Sequence, residues 1–141
     1  MMKLILENWR RYLEDSSKVM EIEIDGATIE GVIHDDLQRL LNWANKEGVS
    51  EEILQSLDLP AAILKSIFVP EETRGQGVGV QLMDEFMNEA AEAHEAHSII
   101  LIADLGQSQA EGFGLVEWYK GYGFEVVGED SGGNPVMVLE Q

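Results

Sequence analysis

The sequence contains no cysteine. That excludes disulfides, a thiolate metal site and a cysteine nucleophile. Basic residues are scarce: nine Lys and Arg stand against 27 Asp and Glu, a formal net charge of −18. A surface of that sign repels nucleic-acid backbones and anionic membranes, so neither is expected as a partner. It attracts cations such as polyamines, aminoglycoside-like compounds or basic protein tails. Solubility, or adaptation to a salty medium, accounts for the same charge equally well. Histidines are few. His94 and His97 lie three apart with Glu95 between them, too few ligands for a metal site, and read as surface residues. His34 reads as a helix-capping-region residue, not a catalytic base. No apolar run approaches the length of a membrane span, and Met1-Met2-Lys3-Leu4-Ile5-Leu6-Glu7 is not a signal peptide. A cytoplasmic protein is the expectation, as is a single domain over residues 1–141, without repeats or linkers.

What is present centres on residues 61–94. Ala61-Ala62-Ile63-Leu64-Lys65-Ser66-Ile67-Phe68-Val69 is apolar and partly β-branched, the pattern of a buried strand. Val78, Leu82, Phe86 and Ala90 then recur at helical spacing, with Met83 and Met87 beside them. Between strand and helix lies Arg74-Gly75-Gln76-Gly77-Val78-Gly79. The first turn of a helix carries unpartnered N–H groups and partial positive charge. Three glycines remove the Cβ atoms that would hold a ligand off and permit positive φ. Together these features describe a cradle for phosphate or pyrophosphate. The spacing is neither a Walker loop nor G-x-G-x-x-G.

The loop resembles the acetyl-CoA loop of the GNAT-type N-acetyltransferases, Arg/Gln-x-x-Gly-x-Gly/Ala. A second motif of that family, Tyr-x-x-x-Gly-Phe, is matched by Tyr119-Lys120-Gly121-Tyr122-Gly123-Phe124. The resemblance covers about residues 61–127. It implies an α/β (α+β) GNAT fold: one mixed central sheet flanked by helices, whose two central parallel strands splay to form the acetyl-CoA cleft. It also implies acetyl transfer from acetyl-CoA to a primary amine, with no metal, and is compatible with a homodimer. By resemblance, backbone at Ile67, Phe68 and Val69 holds the pantetheine. Arg74, Gly75, Gln76, Gly77, Val78 and Gly79 take the pyrophosphate, and Tyr119 is the general acid near the sulfur. Lys120 is a further counter-charge. The family's base is often a Glu on the motif strand, and this strand has none. Asp104, at the end of the following strand, is the leading replacement, and a water chain is as credible. The Asn that the family often carries seven residues before the Tyr is Gly112 here, which leaves that contact to Gln107 or Gln109. The competing reading is an acidic protein of the same fold that recognises a basic partner without turnover.

Elsewhere, Ile5, Trp9, Tyr12 and Leu13 form a helical stripe, with a short strand over residues 2–6 feeding a helix from Glu7 as the alternative. Met20, Ile22 and Ile24 alternate with Glu21 and Glu23, then Asp25-Gly26 leads into Ala27–His34, a hairpin signal. Glu21, Glu23 and Glu30 could face an acceptor, though a solvated outer face explains each. Asp35-Asp36 caps a helix with Leu37, Leu40, Leu41 and Ala44 as its buried face, ended by Gly48. A short helix starts at Ser50-Glu51-Glu52. Two placements of this helical pair stay open: an insertion after the hairpin, or a different order of early elements. Ser98–Asp104 reads as a central strand parallel to 61–69, Leu115–Tyr119 as a helix, and 124–127 and 136–139 as a closing antiparallel pair.

Overall fold

The computed structural model describes residues 17–73, 75–103 and 114–140. The stripe at residues 5–13 lies outside them. Among the described residues, six strands form one sheet in the order β1-β2-β3-β4-β6-β5: β1 Ser17–Ile24, β2 Ala27–His34, β3 Ala61–Phe68, β4 Ser98–Ile102, β5 Glu125–Glu129 and β6 Pro135–Glu140. Only β3 and β4 pair in parallel; all other neighbours are antiparallel. The hairpin turns at Asp25 and Gly26, both at positive φ, as the Asp-Gly signal requires.

The hairpin lies directly against β3. Helices α1 (Leu37–Glu47) and α2 (Glu51–Gln55) fill the connection from β2 to β3. The helical pair therefore sits between the hairpin and β3. Asp36 caps α1 by accepting the Gln38 N–H at 2.7 Å, and Gly48 ends it in the left-handed region at φ 78°. These satisfy backbone groups that a helix leaves open at each end. Leu40 and Ala44 are buried and Leu41 is half-buried, but Leu37 is exposed. At the first helical position Leu37 lies before the turn that meets the sheet.

Each face of the sheet has its own core, and strand alternation assigns the side chains. One face carries Met20, Ile29, Ile33, Ala62, Leu64, Ile99, Leu101 and Met137. Helix α3 (Val78–Asn88) covers it with Val78, Leu82, Met83 and Phe86, joined by Ala90 from the π-turn Glu89–Ala93 that extends the helix. Helix α4 (Leu115–Lys120) adds Tyr119 to the same core. The other face carries Ala61, Ile63, Ile100, Val136 and Val138 under Leu40, Ala44 and Leu54 of α1 and α2. The helical periodicity at 78, 82, 86 and 90 thus produces one fully buried stripe, each large member contributing about 1.5–3 kcal/mol of burial. Among the described residues, no helix is long and apolar enough to cross a membrane.

Candidate active site

Strand β3 changes character halfway along. Ala61 to Leu64 are all buried, whereas Lys65, Ser66 and Phe68 are exposed. The parallel ladder with β4 runs from Ala61↔Ser98 to Leu64↔Leu101 and stops there. At the same level the β2 ladder slips: Gly31 pairs with Leu64, but Glu30 pairs with Ser66, which leaves Lys65 as an extra residue. Such a bulge bends its strand and sharpens the twist. Beyond it β3 continues along β2, through Ile29↔Ile67 and Thr28↔Phe68, without β4. The β4-facing backbone of residues 65–68 is therefore outside any ladder among the described residues.

Gly31 makes the bulge compatible with the core. A Cβ there would sit 2.5 Å from the Ile63 carbonyl oxygen and 2.6 Å from the Phe86 ring. Only a residue without a side chain admits Phe86 of α3 this close to β2. Sequence reading did not single out Gly31; a lone glycine inside a strand pattern was the available signal.

Past β3, the chain is held by its own hydrogen bonds. Thr73 donates to the Pro70 carbonyl through its N–H at 3.0 Å and its Oγ1 at 3.1 Å. The Gln76 N–H donates to the Thr73 carbonyl at 3.3 Å, and its Nε2 donates to the Glu72 carbonyl at 3.2 Å. Gln76 is thus committed to shaping the loop. Gly75 and Gly77 stand at φ 84° and 81°, and a Cβ on either would meet nothing within 4 Å. Open space beside two left-handed glycines leaves backbone accessible to a ligand. Gly77 is the N-cap of α3, and among the described residues no side chain caps that helix; the Gln81 N–H closes the first turn on the Gly77 carbonyl at 3.1 Å. These residues fit a pyrophosphate. The remaining two play different parts. Val78 is buried, so only its backbone faces the loop. Gly79 is helical, and a Cβ there would make ordinary contact with Val69 at 3.6 Å and Trp118 at 3.8 Å. It lies between the chain just past β3 and α4, where a methyl group would fit without displacing either. Arg74 lies outside the described residues, as do Asp104, Gln107, Gln109 and Gly112.

Tyr119 is 5% exposed. Its ring lies 5.2 Å from Trp118 and 5.9 Å from Phe124, in tilted and edge-on contacts. Burial pushes its phenol up to about 12, so it holds its proton across the working pH range. Tyr122 packs edge-on against Trp118 at 5.1 Å, and burial, then the Asp84 carboxylate, push its phenol up. Lys120 pairs with Glu117 at 3.7 Å on the surface, a contact of little energetic weight.

The histidines sit away from this arrangement. His34 pairs in register with Ala61, at the opposite end of β3 from the bulge. Burial, followed by the positive charges of Arg39 and Lys65, lowers its pKa. His97 is exposed. His94 is half-buried, and its Nδ1 is closed off from water with no hydrogen-bond partner among the described residues, which corrects its reading as a simple surface residue.

A sequence model of the family described as "Acetyltransferase (GNAT) domain" matches residues 32–126. No curated protein sequence matches the chain. Among solved structures, the chain is similar to the PaiA N-acetyltransferase from Thermoplasma acidophilum, solved with coenzyme A. That match has 15% identity and a TM-score of 0.54, over 99% of this chain and 70% of the other. It is similar to a variant of the spermidine N-acetyltransferase SpeG from Vibrio cholerae at 14% identity and a TM-score of 0.53, over 99% and 75%. The anti-CRISPR protein AcrVA5 matches at 23% identity and a TM-score of 0.53, over 86% and 98%. At such identities these likenesses speak for the fold, and the family match carries the assignment. With a mixed sheet whose parallel ladder opens beside a glycine cradle, the chain belongs to the GNAT family of acetyl-CoA-dependent N-acetyltransferases.

Proposed function

We propose that this chain transfers the acetyl group of acetyl-CoA to a primary amine that is cationic at neutral pH, a polyamine or the amine of a basic peptide. One observation carries the reading: the β3–β4 ladder ends at Leu64 and Leu101, so β3 offers unladdered backbone on the line that leads to the Gly75–Gly77 cradle. The pantetheine arm pairs with that backbone at Ile67 to Val69, as an added strand would. Gly75, Gly77 and the first-turn amides of α3 take the pyrophosphate, and Arg74, the only cation in residues 69–79, supplies counter-charge. The net charge of −18 and the exposed Glu21, Glu23 and Glu30 on the hairpin support a cationic acceptor. A protein named spermidine N-acetyltransferase among the similar structures agrees with it.

Tyr119 is the donor to the departing sulfur. Its phenol at about 12 is a weaker acid than a thiol at about 8.5, a gap of roughly 3.5 units or about 5 kcal/mol. Complete transfer to a free thiolate is uphill. Tyr119 therefore acts by hydrogen-bonding the sulfur as charge builds there, and the thiol takes its final proton from the attacking nitrogen.

The test is calorimetry with acetyl-CoA followed by a thiol-release assay with spermidine and with a lysine-rich peptide. Wild type binds and turns over. Gly77→Glu abolishes binding, because a carboxylate enters the open space beside the cradle. Tyr119→Phe keeps binding and loses about 10²–10³-fold in kcat, the cost of one preorganised donor. Tight binding without turnover on any amine would support a non-catalytic acidic receptor instead.

A further inference from the structure

The motif strand carries no acid, so the group that deprotonates the amine has to come from elsewhere. We infer that Glu30, on the neighbouring strand β2, is that base. The inference rests on the acetyl-transfer reading.

The two sides of the sheet at the bulge are unequal. On one, Ile67 and Val69 pack against the core beneath α3 and α4. That side is filled. On the other, Ser66 and Phe68 are exposed, Phe68 at 50%. An amine attacking a carbonyl held along β3 comes from above or below the sheet, and among the described residues only the second side is open. Glu30 lies on that side. Its neighbours Ile29 and Gly31 face the α3 core, and Glu30 is exposed between them. In register it stands directly opposite Ser66, the first paired residue after the bulge.

Reach agrees with this placement. Directly opposed residues have Cβ atoms about 4.5–5.5 Å apart. A substrate arm beyond β3 lies two strand spacings from β2, about 10 Å. A glutamate side chain spans about half of that, so an amine above Ser66 is within direct or one-water range of the carboxylate. Among the described residues, the other charged groups on the neighbouring strands at this spot are Glu21 on β1, directly opposite Glu30, Glu23 two residues further along β1, and Lys65 in the bulge. Opposed carboxylates destabilise a hairpin, and an ammonium ion above them relieves that repulsion.

Glu30 takes one proton from the ammonium in an unfavourable pre-equilibrium, which the attack on the thioester drains forward. The neutral nitrogen forms the C–N bond as the C–S bond breaks, and the second nitrogen proton passes to the sulfur. Glu30 returns its proton to solvent, which leaves an amide, a free thiol and H⁺.

The experiment compares wild type, Glu30→Gln, Glu21→Gln and Asp104→Asn, with spermidine and a lysine-rich peptide as acceptors. Glu30→Gln should lower kcat/KM about 10²–10⁴-fold near neutrality and keep the calorimetric affinity for acetyl-CoA. The acidic limb of the wild-type pH profile should vanish, with activity recovering towards high pH, where the amine loses its proton unaided. Glu21→Gln and Asp104→Asn should keep that limb. A Glu30→Gln protein with wild-type kcat/KM, with the limb intact, or with impaired acetyl-CoA binding overturns the assignment, as does loss of the limb in Asp104→Asn alone. Wild-type turnover combined with any of those results overturns Glu30 by itself. Absence of wild-type turnover overturns the acetyl-transfer reading, and Glu30 with it.

Discussion

The two halves of β3 belong to one strand and behave as two materials. Ala61 to Leu64 are buried on both faces and laddered on both edges. Lys65 to Phe68 keep the β2 ladder, lose β4 and expose three of four side chains. The first half anchors the sheet. The second half, freed by one extra residue, presents backbone. A parallel sheet normally buries both faces of its strands, and ending the parallel pairing early is what turns structural backbone into a binding edge.

The strongest way to break the contrast is to exchange like for like. Phe86 is fully buried against the anchored half, and Phe68 is half-exposed on the free half. Phe86→Ala should cost about 3–5 kcal/mol in denaturant unfolding. Phe68→Ala should move stability by no more than about 0.5 kcal/mol and instead raise KM for acetyl-CoA. Comparable losses from the two would erase the distinction.

Gly31→Ala tests the joint between the halves. The new methyl meets the Ile63 carbonyl and the Phe86 ring, and overpacking of this kind costs about 1–3 kcal/mol. Because the strain falls beside the bulge, kcat/KM should drop even at temperatures where the variant is fully folded, measured by circular dichroism and thiol release on one preparation. A stable variant with full activity would show that the bulge does not depend on this glycine.

The smallest effect concerns His34, at the anchored end. Its pKa is lowered in the folded state, so the unfolded chain takes up the proton first as pH falls below about 6.5. The stabilisation is complete above that value and is lost as pH falls towards the lowered folded pKa. His34→Gln should flatten that slope in stability while leaving the neutral-pH activity unchanged. A steeper slope in the variant would reverse the sign.

Much of this could be read from local pattern. The hairpin at Asp25-Gly26, the Asp36 cap, the stripe from Val78 to Ala90 and the two motifs each rest on chemistry spanning a few residues. Leu37 escaped that reading because periodicity gives a face, not where the face ends. Gly79 was grouped with Gly75 and Gly77, yet its neighbours are Val69 and Trp118, one of them 39 residues away in sequence. His94 looked exposed because nothing local reveals that Nδ1 is covered.

By itself the sequence determined the elements, the acidic character and the glycine cradle, because turn chemistry, helical periodicity and backbone permissiveness are properties of neighbouring residues. Tertiary structure alone decided that Lys65 is surplus in the β2 register, that β4 leaves after Leu64, and that Glu30 faces the open side of Ser66. Those outcomes depend on how strands far apart in the chain align, and a single inserted residue resets every pairing beyond it.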